Sequence, residues 1–208
     1  MSRPRVASTS MERLILARHG ESAYSARGLV NGDPAAGVGL TGRGEEEARR
    51  LGRELDREPL DLCVVTALPR THATAELALA GRDVPCEEWP QLSDPRAGRF
   101  EGLHLDEYRV WAWSAGSRED APGGGESRLA VVDRYCDAWH ALLARPERTV
   151  LAVIHALPIA YLLLARDGRP PAARVDLEVR HAHPYPFTKG ELGDALAVLD
   201  AWRADPTW

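Results

Sequence analysis

Two histidines and two arginines follow apolar runs of the sequence, and these residue types suit phosphate chemistry. The runs end in "ARHGES", "TALPRT" and "IHALP", which carry Arg18, His19, Arg70 and His155. A neutral imidazole, whose ordinary pKa is about 6.5, can attack phosphorus, and the planar guanidinium of arginine matches phosphate oxygens. The four residues are therefore candidates for binding or transferring a phosphoryl group.

The apolar runs predict buried strands that alternate with helices. Strands are predicted over 13–17, 61–67, 83–89, 148–156, 174–179 and 195–202, and helices after Thr41 and over 69–81, 104–113, 127–143 and 157–165. This alternation is typical of an α/β protein with a mostly parallel sheet covered on both faces. Ligands bind at the carboxyl ends of such strands, so the candidate side chains should converge at one edge.

Length and composition predict one globular domain. The chain has 208 residues, of which 44% are hydrophobic and 27% are charged. This is enough for one sizeable core. We expect a flexible extension over 1–11 and a single domain over 12–208, with 91–125 as a variable cap segment.

Charge and cysteine usage limit the partners. The net charge of -5 gives no basic footprint for nucleic acid, and no apolar run approaches the roughly 18 residues of a membrane helix. Cys63, Cys86 and Cys136 have no CxxC spacing, which favours reduced thiols in a cytoplasmic protein. We expect a small-molecule substrate, no nucleic acid and no membrane, with a homodimer as an open alternative.

Each candidate residue also has an ordinary structural explanation. A histidine after a strand is most often a hydrogen-bonded polar residue, and an arginine at a helix N-terminus such as Arg70 is usually a solvated surface charge. Their joint occurrence at three strand ends favours an anion site. Periodicity and spacing do not define the reaction.

The sequence resembles the histidine phosphatase superfamily, the phosphoglycerate mutase-like enzymes, over roughly residues 12–165. The resemblance rests on "LARHGES", "LTGRGEEEARRLGREL", "VVTALPRTHATAELA", "QLSDPRAGRFEGL", "PGGGES" and "VLAVIHA". It implies a three-layer αβα fold with a mostly parallel central sheet.

The resemblance also implies roles for single residues. His19 would attack the phosphoryl group and become a phosphohistidine, while Arg18, Arg70 and His155 would hold the phosphate oxygens. Asn31 would supply a further polar contact to the phosphate. A carboxylic acid would protonate the leaving oxygen and then activate water. No metal and no cofactor would take part; His181 and His183 are only a weak metal pair, interpreted as exposed loop histidines.

The sequence departs from the family pattern at several positions. Asp94 stands where the acid is usually glutamate; Glu101 is an alternative acid, interpreted as structural, and Asp94 could also merely cap a turn. Ala156 replaces a common glycine after the second histidine. Ser25 and Leu29 stand where the family often has asparagine and arginine. Fewer phosphate donors imply weaker or different substrate binding.

The sequence allows alternative roles for two further segments. The cap residues His104, Tyr108, Trp111 and Trp113 could contact an organic leaving group, but packing within the cap is favoured. The run "HAHPYPF" could edge the active site or form a dimer contact.

Three functions compete. The leading hypothesis is a metal-independent phosphatase that hydrolyses a small phosphate monoester through phosphohistidine. The second is a phosphoglycerate mutase, which is disfavoured because the segment between Arg70 and His155 is short for the large lid of typical mutases. The third is a catalytically weak binding or regulatory protein, suggested by Asp94 and Ala156. The sequence does not name the substrate.

Overall fold

A five-stranded sheet forms the centre of the computed structural model, which describes residues 10–208. Its strands are β1 (Arg13–Arg18), β2 (Leu62–Val65), β3 (Cys86–Glu88), β4 (Thr149–Ile154) and β5 (Pro184–Thr188). They lie in the order β3-β2-β4-β1-β5, and only β5 is antiparallel to its neighbour. The predicted α/β class with a mostly parallel sheet is confirmed.

Residues 10–208 contain six α-helices: α1 (Gly42–Glu54), α2 (Pro69–Ala78), α3 (Leu105–Ser114), α4 (Arg128–Leu143), α5 (Ala156–Arg166) and α6 (Lys189–Ala204). Five of them cover the two faces of the sheet, whereas α3 packs against the loops around Val30 and Phe100. Successive side chains of β1 point to opposite faces of the sheet. Leu14 and Leu16 pack in one core with α4, α5 and α6, whereas Ile15 and Ala17 pack in the other core with α1 and α2. Both faces of the central strands are therefore buried, which explains their continuous apolar sequences.

The C-terminal third differs from the prediction. Residues 174–179 form no strand, and the strand predicted over 195–202 is wrong because these residues belong to α6. Their buried members recur at helical spacing, and Thr188 and Glu191 form a capping box at the start of the helix. The strand of this region is β5, whose Pro184 and Pro186 are tolerated because it is an edge strand.

The predicted N-terminal extension lies mostly outside the described residues, which begin at residue 10. Met11 was assigned to that extension, but its side chain is fully buried and its N–H donates to the Arg145 carbonyl at 3.0 Å. The packed part of the chain therefore includes Met11. No helix among residues 10–208 has the length and apolar character needed to cross a membrane.

The chain that leaves β1 passes very close to α1. A side-chain methyl added at Gly20 would collide with the Gly44 carbonyl, and one added at Gly44 would collide with the Glu21 carbonyl. Thr41 caps α1, as predicted, by accepting a hydrogen bond from the Gly44 N–H at 3.1 Å. The loop carrying His19 is thereby held against the first turn of α1.

This close approach makes a stability prediction. Gly44→Ala should lower the free energy of unfolding by about 1–3 kcal/mol, because overpacking forces backbone shifts. The measurement is urea denaturation followed by circular dichroism. Gly42→Ala is the matched control in the same helix turn, since nothing lies within 4 Å of the added methyl. Equal losses in the two variants would contradict the close approach.

Candidate active site

The guanidinium of Arg70 lies at the centre of the site and is 2% exposed. Its Nε–H donates to His19 Nε2 at 2.9 Å, and its two NH2 hydrogens go to Asp94 Oδ2 at 2.8 Å and the Asn31 carbonyl at 2.9 Å. Its NH1 donates to Asn31 Oδ1 at 2.6 Å, and NH2 lies 3.2 Å from His155 Nδ1. Arg70, at the start of α2, therefore joins the ends of several strands.

His19 has its ring fixed in one tautomer. Nδ1 lies 2.7 Å from the Gly20 carbonyl, which can only accept, so Nδ1 carries the proton and Nε2 presents a lone pair. Burial, reinforced by the charge of Arg70 and by His155 and Arg18, holds the pKa of His19 well below its ordinary value. The imidazole is thus neutral.

His155 follows β4 and is completely buried. Its Nε2 lies 2.9 Å from the hydroxyl of Thr66, and its Nδ1 lies 3.2 Å from Asp94 Oδ2. Burial, followed by the charges of Arg70 and Arg18, holds the pKa of His155 well below its ordinary value. Thr66 was not predicted as a site residue, although its position at the end of β2 was the available signal.

The two candidate acids occupy different environments. The Asp94 side chain is 27% exposed and lines a cavity, and its Oδ1 has no hydrogen-bond partner among residues 10–208. Burial raises the pKa of Asp94, opposed by the charges of Arg70 and Arg18. Glu101 instead accepts backbone N–H groups from Gly32 at 2.8 Å and Ala97 at 2.9 Å. Its two oxygens thus clip two loops together.

The cavity beside these groups has a volume of about 540 Å³ and is lined by Arg18, His19, Asn31, Arg70 and Asp94. Two buried donors in its wall, Arg18 Nε and Asn31 Nδ2, have no hydrogen-bond partner among the described residues. The Arg70 contact to Asn31 Oδ1 fixes the orientation of that amide, so Nδ2 is a true donor. Unpaired buried donors are rare, and together with the arginines they suit an anionic ligand.

A second group of contacts fixes the loop that carries Asp94. Arg134 of α4 donates to the carbonyls of Ser93 at 2.8 Å and Asp94 at 3.2 Å, and it pairs with Glu126 at 2.9 Å. Glu126 also accepts the backbone N–H of Arg96 at 2.9 Å. This clamp determines how far the short aspartate side chain reaches. No sequence signal pointed to Arg134.

The run "HAHPYPF", residues 181–187, leads into β5 and forms most of it, and it edges the site. His181 Nδ1 lies 2.9 Å from the backbone carbonyl of His19, and the two rings are 5.6 Å apart. The interpretation of His181 and His183 as exposed loop histidines is therefore wrong, since both are half-buried. His181 is half-buried because its ring contacts His19 at the end of β1.

The predicted cap residues divide into three kinds. Trp111 packs against Phe100 and Tyr108, as favoured from the sequence. His104 is exposed and caps α3. Tyr108 and Trp113 line the cavity, so packing alone does not describe them. The positions that depart from the family pattern, Ser25, Leu29 and Ala156, also lie in the cavity wall.

His19, Asp94 and His155 could in principle hold a metal, because each offers a ligand atom and these atoms lie within 4.8 Å of one another. The Arg70 guanidinium, however, contacts all three of these atoms, at 2.9 Å, 2.8 Å and 3.2 Å. A divalent cation would have to displace a fixed positive charge. The arrangement therefore fits an anion better than a metal ion.

Fold and site together define an α/β protein whose strand ends bring a neutral imidazole to a cavity lined by arginines. The chain belongs to the histidine phosphatase superfamily (branch 1), whose family model matches residues 14–194. The resemblance noted in the sequence is thereby confirmed.

Individual relatives include both mutases and phosphatases. A 2,3-bisphosphoglycerate-dependent phosphoglycerate mutase of Methylobacterium radiotolerans is 32% identical over 195 residues, which cover 85% of this chain and 90% of the relative. The adenosylcobalamin/alpha-ribazole phosphatase of Salmonella typhimurium is 32% identical over 167 residues, covering 77% and 82%. The structure of the alpha-ribazole phosphatase from Shigella flexneri matches with a TM-score of 0.70 at 29% identity, covering 84% of this chain and 89% of that chain.

The buried histidines predict a pH dependence of stability. The pKa values of both histidines are depressed in the folded state. Below the unfolded-state pKa of about 6.5, the unfolded chain therefore takes up protons that the folded chain does not, and the free energy of unfolding decreases as the pH is lowered. Each histidine should contribute a slope of about 1.4 kcal/mol per pH unit. Denaturation of the wild type and His155→Gln between about pH 6.5 and 5 tests this. An unchanged slope in His155→Gln would contradict the neutral, buried state of His155.

Proposed function

We propose that this protein is a phosphatase that hydrolyses a small phosphate monoester through a phosphohistidine on His19, without a metal ion. The observation that carries the proposal is that His19, whose Nε2 bears a lone pair, lines one cavity together with Arg18, Asn31 and Arg70, and that Arg18 Nε and Asn31 Nδ2 are donors without a partner among the described residues. Two arginines face one carboxylate there, which favours a phosphate group. Arg18, Arg70, Asn31 and His155 are the proposed phosphate-binding residues.

In the first step, His19 Nε2 forms a bond to phosphorus while the bond from phosphorus to the leaving oxygen breaks. The Arg70 Nε–H, which donates a hydrogen bond to His19 Nε2, must donate it to a phosphoryl oxygen instead, so that the lone pair of Nε2 becomes free. Asp94, with its raised pKa and its free Oδ1, gives its proton to the leaving oxygen, so an alcohol departs.

In the second step, water attacks phosphorus and gives its proton to the Asp94 carboxylate. The nitrogen–phosphorus bond breaks, its electron pair returns to His19, and inorganic phosphate leaves. Arg18 and Arg70 stabilise the charge on the phosphoryl oxygens throughout, by position and electrostatics.

Phosphoglycerate mutase activity is the second candidate, because a mutase relative covers 85% of the chain. Hydrolysis is preferred because the cavity is open to solvent beside Trp113, which is 42% exposed. A transfer reaction needs the phosphoenzyme shielded from water. Turnover of 3-phosphoglycerate to 2-phosphoglycerate with added bisphosphate, faster than release of inorganic phosphate, would favour the mutase.

We further propose a cytoplasmic protein with no nucleic-acid partner. All three cysteines are free, and the net charge is -5. A homodimer stays a prediction, which light scattering on the purified protein would test.

The nucleophile assignment predicts the behaviour of one variant. His19→Ala should abolish hydrolysis of 4-nitrophenyl phosphate, because no other group in the cavity replaces the Nε2 lone pair. The wild-type rate should be the same with and without EDTA. Loss of activity in EDTA, or activity retained by His19→Ala, would refute the phosphohistidine proposal.

The acid assignment predicts a contrast between two matched variants. Asp94→Asn should lower kcat by about 10²–10⁴-fold with a poor leaving group, since general acid–base catalysis typically contributes this much. Glu101→Gln should mainly lower the melting temperature, because it removes an acceptor from a loop clip. Steady-state kinetics and thermal unfolding of both variants give the answer. An unaffected Asp94→Asn rate would reject Asp94 as the acid.

A further inference from the structure

Arg128 is a half-buried cation in the wall of the cavity that contains His19. It is the first residue of α4, directly after Ser127, whose hydroxyl caps the helix by accepting from Ala130 N–H. Neither the sequence motifs nor the proposed reaction uses Arg128. Its position in the cavity therefore needs a separate explanation.

The guanidinium of Arg128 has few protein partners. NH1 donates to the hydroxyl of Tyr161 at 3.0 Å. Arginine has five N–H donors, so one bond to a neutral phenol leaves four without a partner among residues 10–208. Within that same part of the chain, no carboxylate oxygen lies within the 4.0 Å of an ion pair with Arg128.

Two other arginines nearby, Arg134 and Arg109, are neutralised by carboxylates. Arg134, six residues further along α4, pairs with Glu126 at 2.9 Å. Arg109, which also lines the cavity, pairs with Asp106 at 3.2 Å. Asp176 lines the cavity too but is not within ion-pair distance of Arg128. A half-buried cation without a counter-charge is costly, so a ligand that supplies the charge would be favoured.

Apolar and aromatic side chains also form part of the cavity wall. They include Leu29, Leu105, Tyr108, Ala112, Leu157, Ala160 and Val175. Such a wall suits the organic part of a substrate, and a polar group placed within it sets orientation and specificity. A cation with free donors in this wall selects an anion.

We propose that Arg128 forms a second anion-binding subsite, which binds a carboxylate or a second phosphate on the organic part of the substrate. The placement of the first phosphate beside His19 rests on the proposed function. The substrate class is therefore a phosphate monoester whose leaving group has an apolar portion and its own negative charge. A neutral sugar or a plain alcohol would leave Arg128 without a counter-charge.

The test measures binding of three non-hydrolysable phosphonates by titration calorimetry. They are benzylphosphonate, 4-carboxybenzylphosphonate and 4-(phosphonomethyl)benzylphosphonate, and the last two separate a carboxylate from a second phosphate. A charge-assisted contact should make at least one of the two phosphonates with a second anionic group bind roughly 10- to 100-fold more tightly than benzylphosphonate. Arg128→Gln, which keeps a donor for Tyr161, and Arg128→Met should both lose this preference while binding benzylphosphonate as the wild type does.

Two controls separate charge from structure. Tyr161→Phe removes the phenol but keeps the cation, so the preference should persist. Arg118→Met removes an exposed positive charge outside the cavity and should also leave the preference intact. Equal affinities for all three phosphonates in the wild type, or a preference that survives both Arg128 variants, would overturn the subsite.

The binding readout is independent of turnover. If the charged phosphonates bind preferentially through Arg128 but no ester is hydrolysed, the subsite stands and the phosphatase proposal fails. If 4-nitrophenyl phosphate is hydrolysed through His19 while all three phosphonates bind equally, the phosphatase stands and the subsite fails.

Discussion

The guanidinium of Arg70, 2% exposed, lies among two imidazoles, a carboxylate and a side-chain amide. Removing one partner of a buried ion pair typically costs about 3–5 kcal/mol, since the remaining charge is then uncompensated. Asn31, Asp94 and His155 come from different loops at the strand ends, so one cation fixes all of them. The geometry of the site follows from this constraint.

The same cation sets the chemistry. Together with burial it keeps His19 and His155 neutral, and it contacts the three side chains whose grouping could otherwise suit a metal ion. It also donates a hydrogen bond to the lone pair of His19 Nε2. In the proposed mechanism, a phosphoryl oxygen of the substrate accepts this hydrogen bond instead. Substrate binding therefore frees the nucleophile.

Much of the fold could be predicted because the central strands are buried on both faces. β1, β2 and β4 are continuous apolar runs, and this pattern is unambiguous. β5 could not be predicted, since its two prolines argue against a strand unless its edge position is known. The apolar run over 195–202 predicts a strand but lies in α6, because a short apolar run fits either element and the helical signal, the capping box of Thr188 and Glu191, precedes it.

The candidate site likewise contains residues that the sequence predicts and residues that it does not. The residues at strand ends, Arg18, His19, Arg70 and His155, converge as parallel topology requires. Arg134 and Arg128 could not be identified, because their partners are distant in sequence; Arg134 and Ser93, for example, are 41 residues apart. Thr66 has one local signal, its position at the end of a predicted strand, but its partner His155 is 89 residues away. Their roles depend on how loops and α4 pack, which no local pattern encodes.

The most direct measurement is to trap the phosphoenzyme. The protein is mixed rapidly with 4-nitrophenyl phosphate, quenched in base, digested and mapped by mass spectrometry. The account predicts one phosphoryl group, stable in base and labile in acid, on the peptide containing His19. It should accumulate in Asp94→Asn, where hydrolysis of the intermediate lacks its base. Rapid release of inorganic phosphate with no phosphoryl group on His19 in either protein would contradict the account.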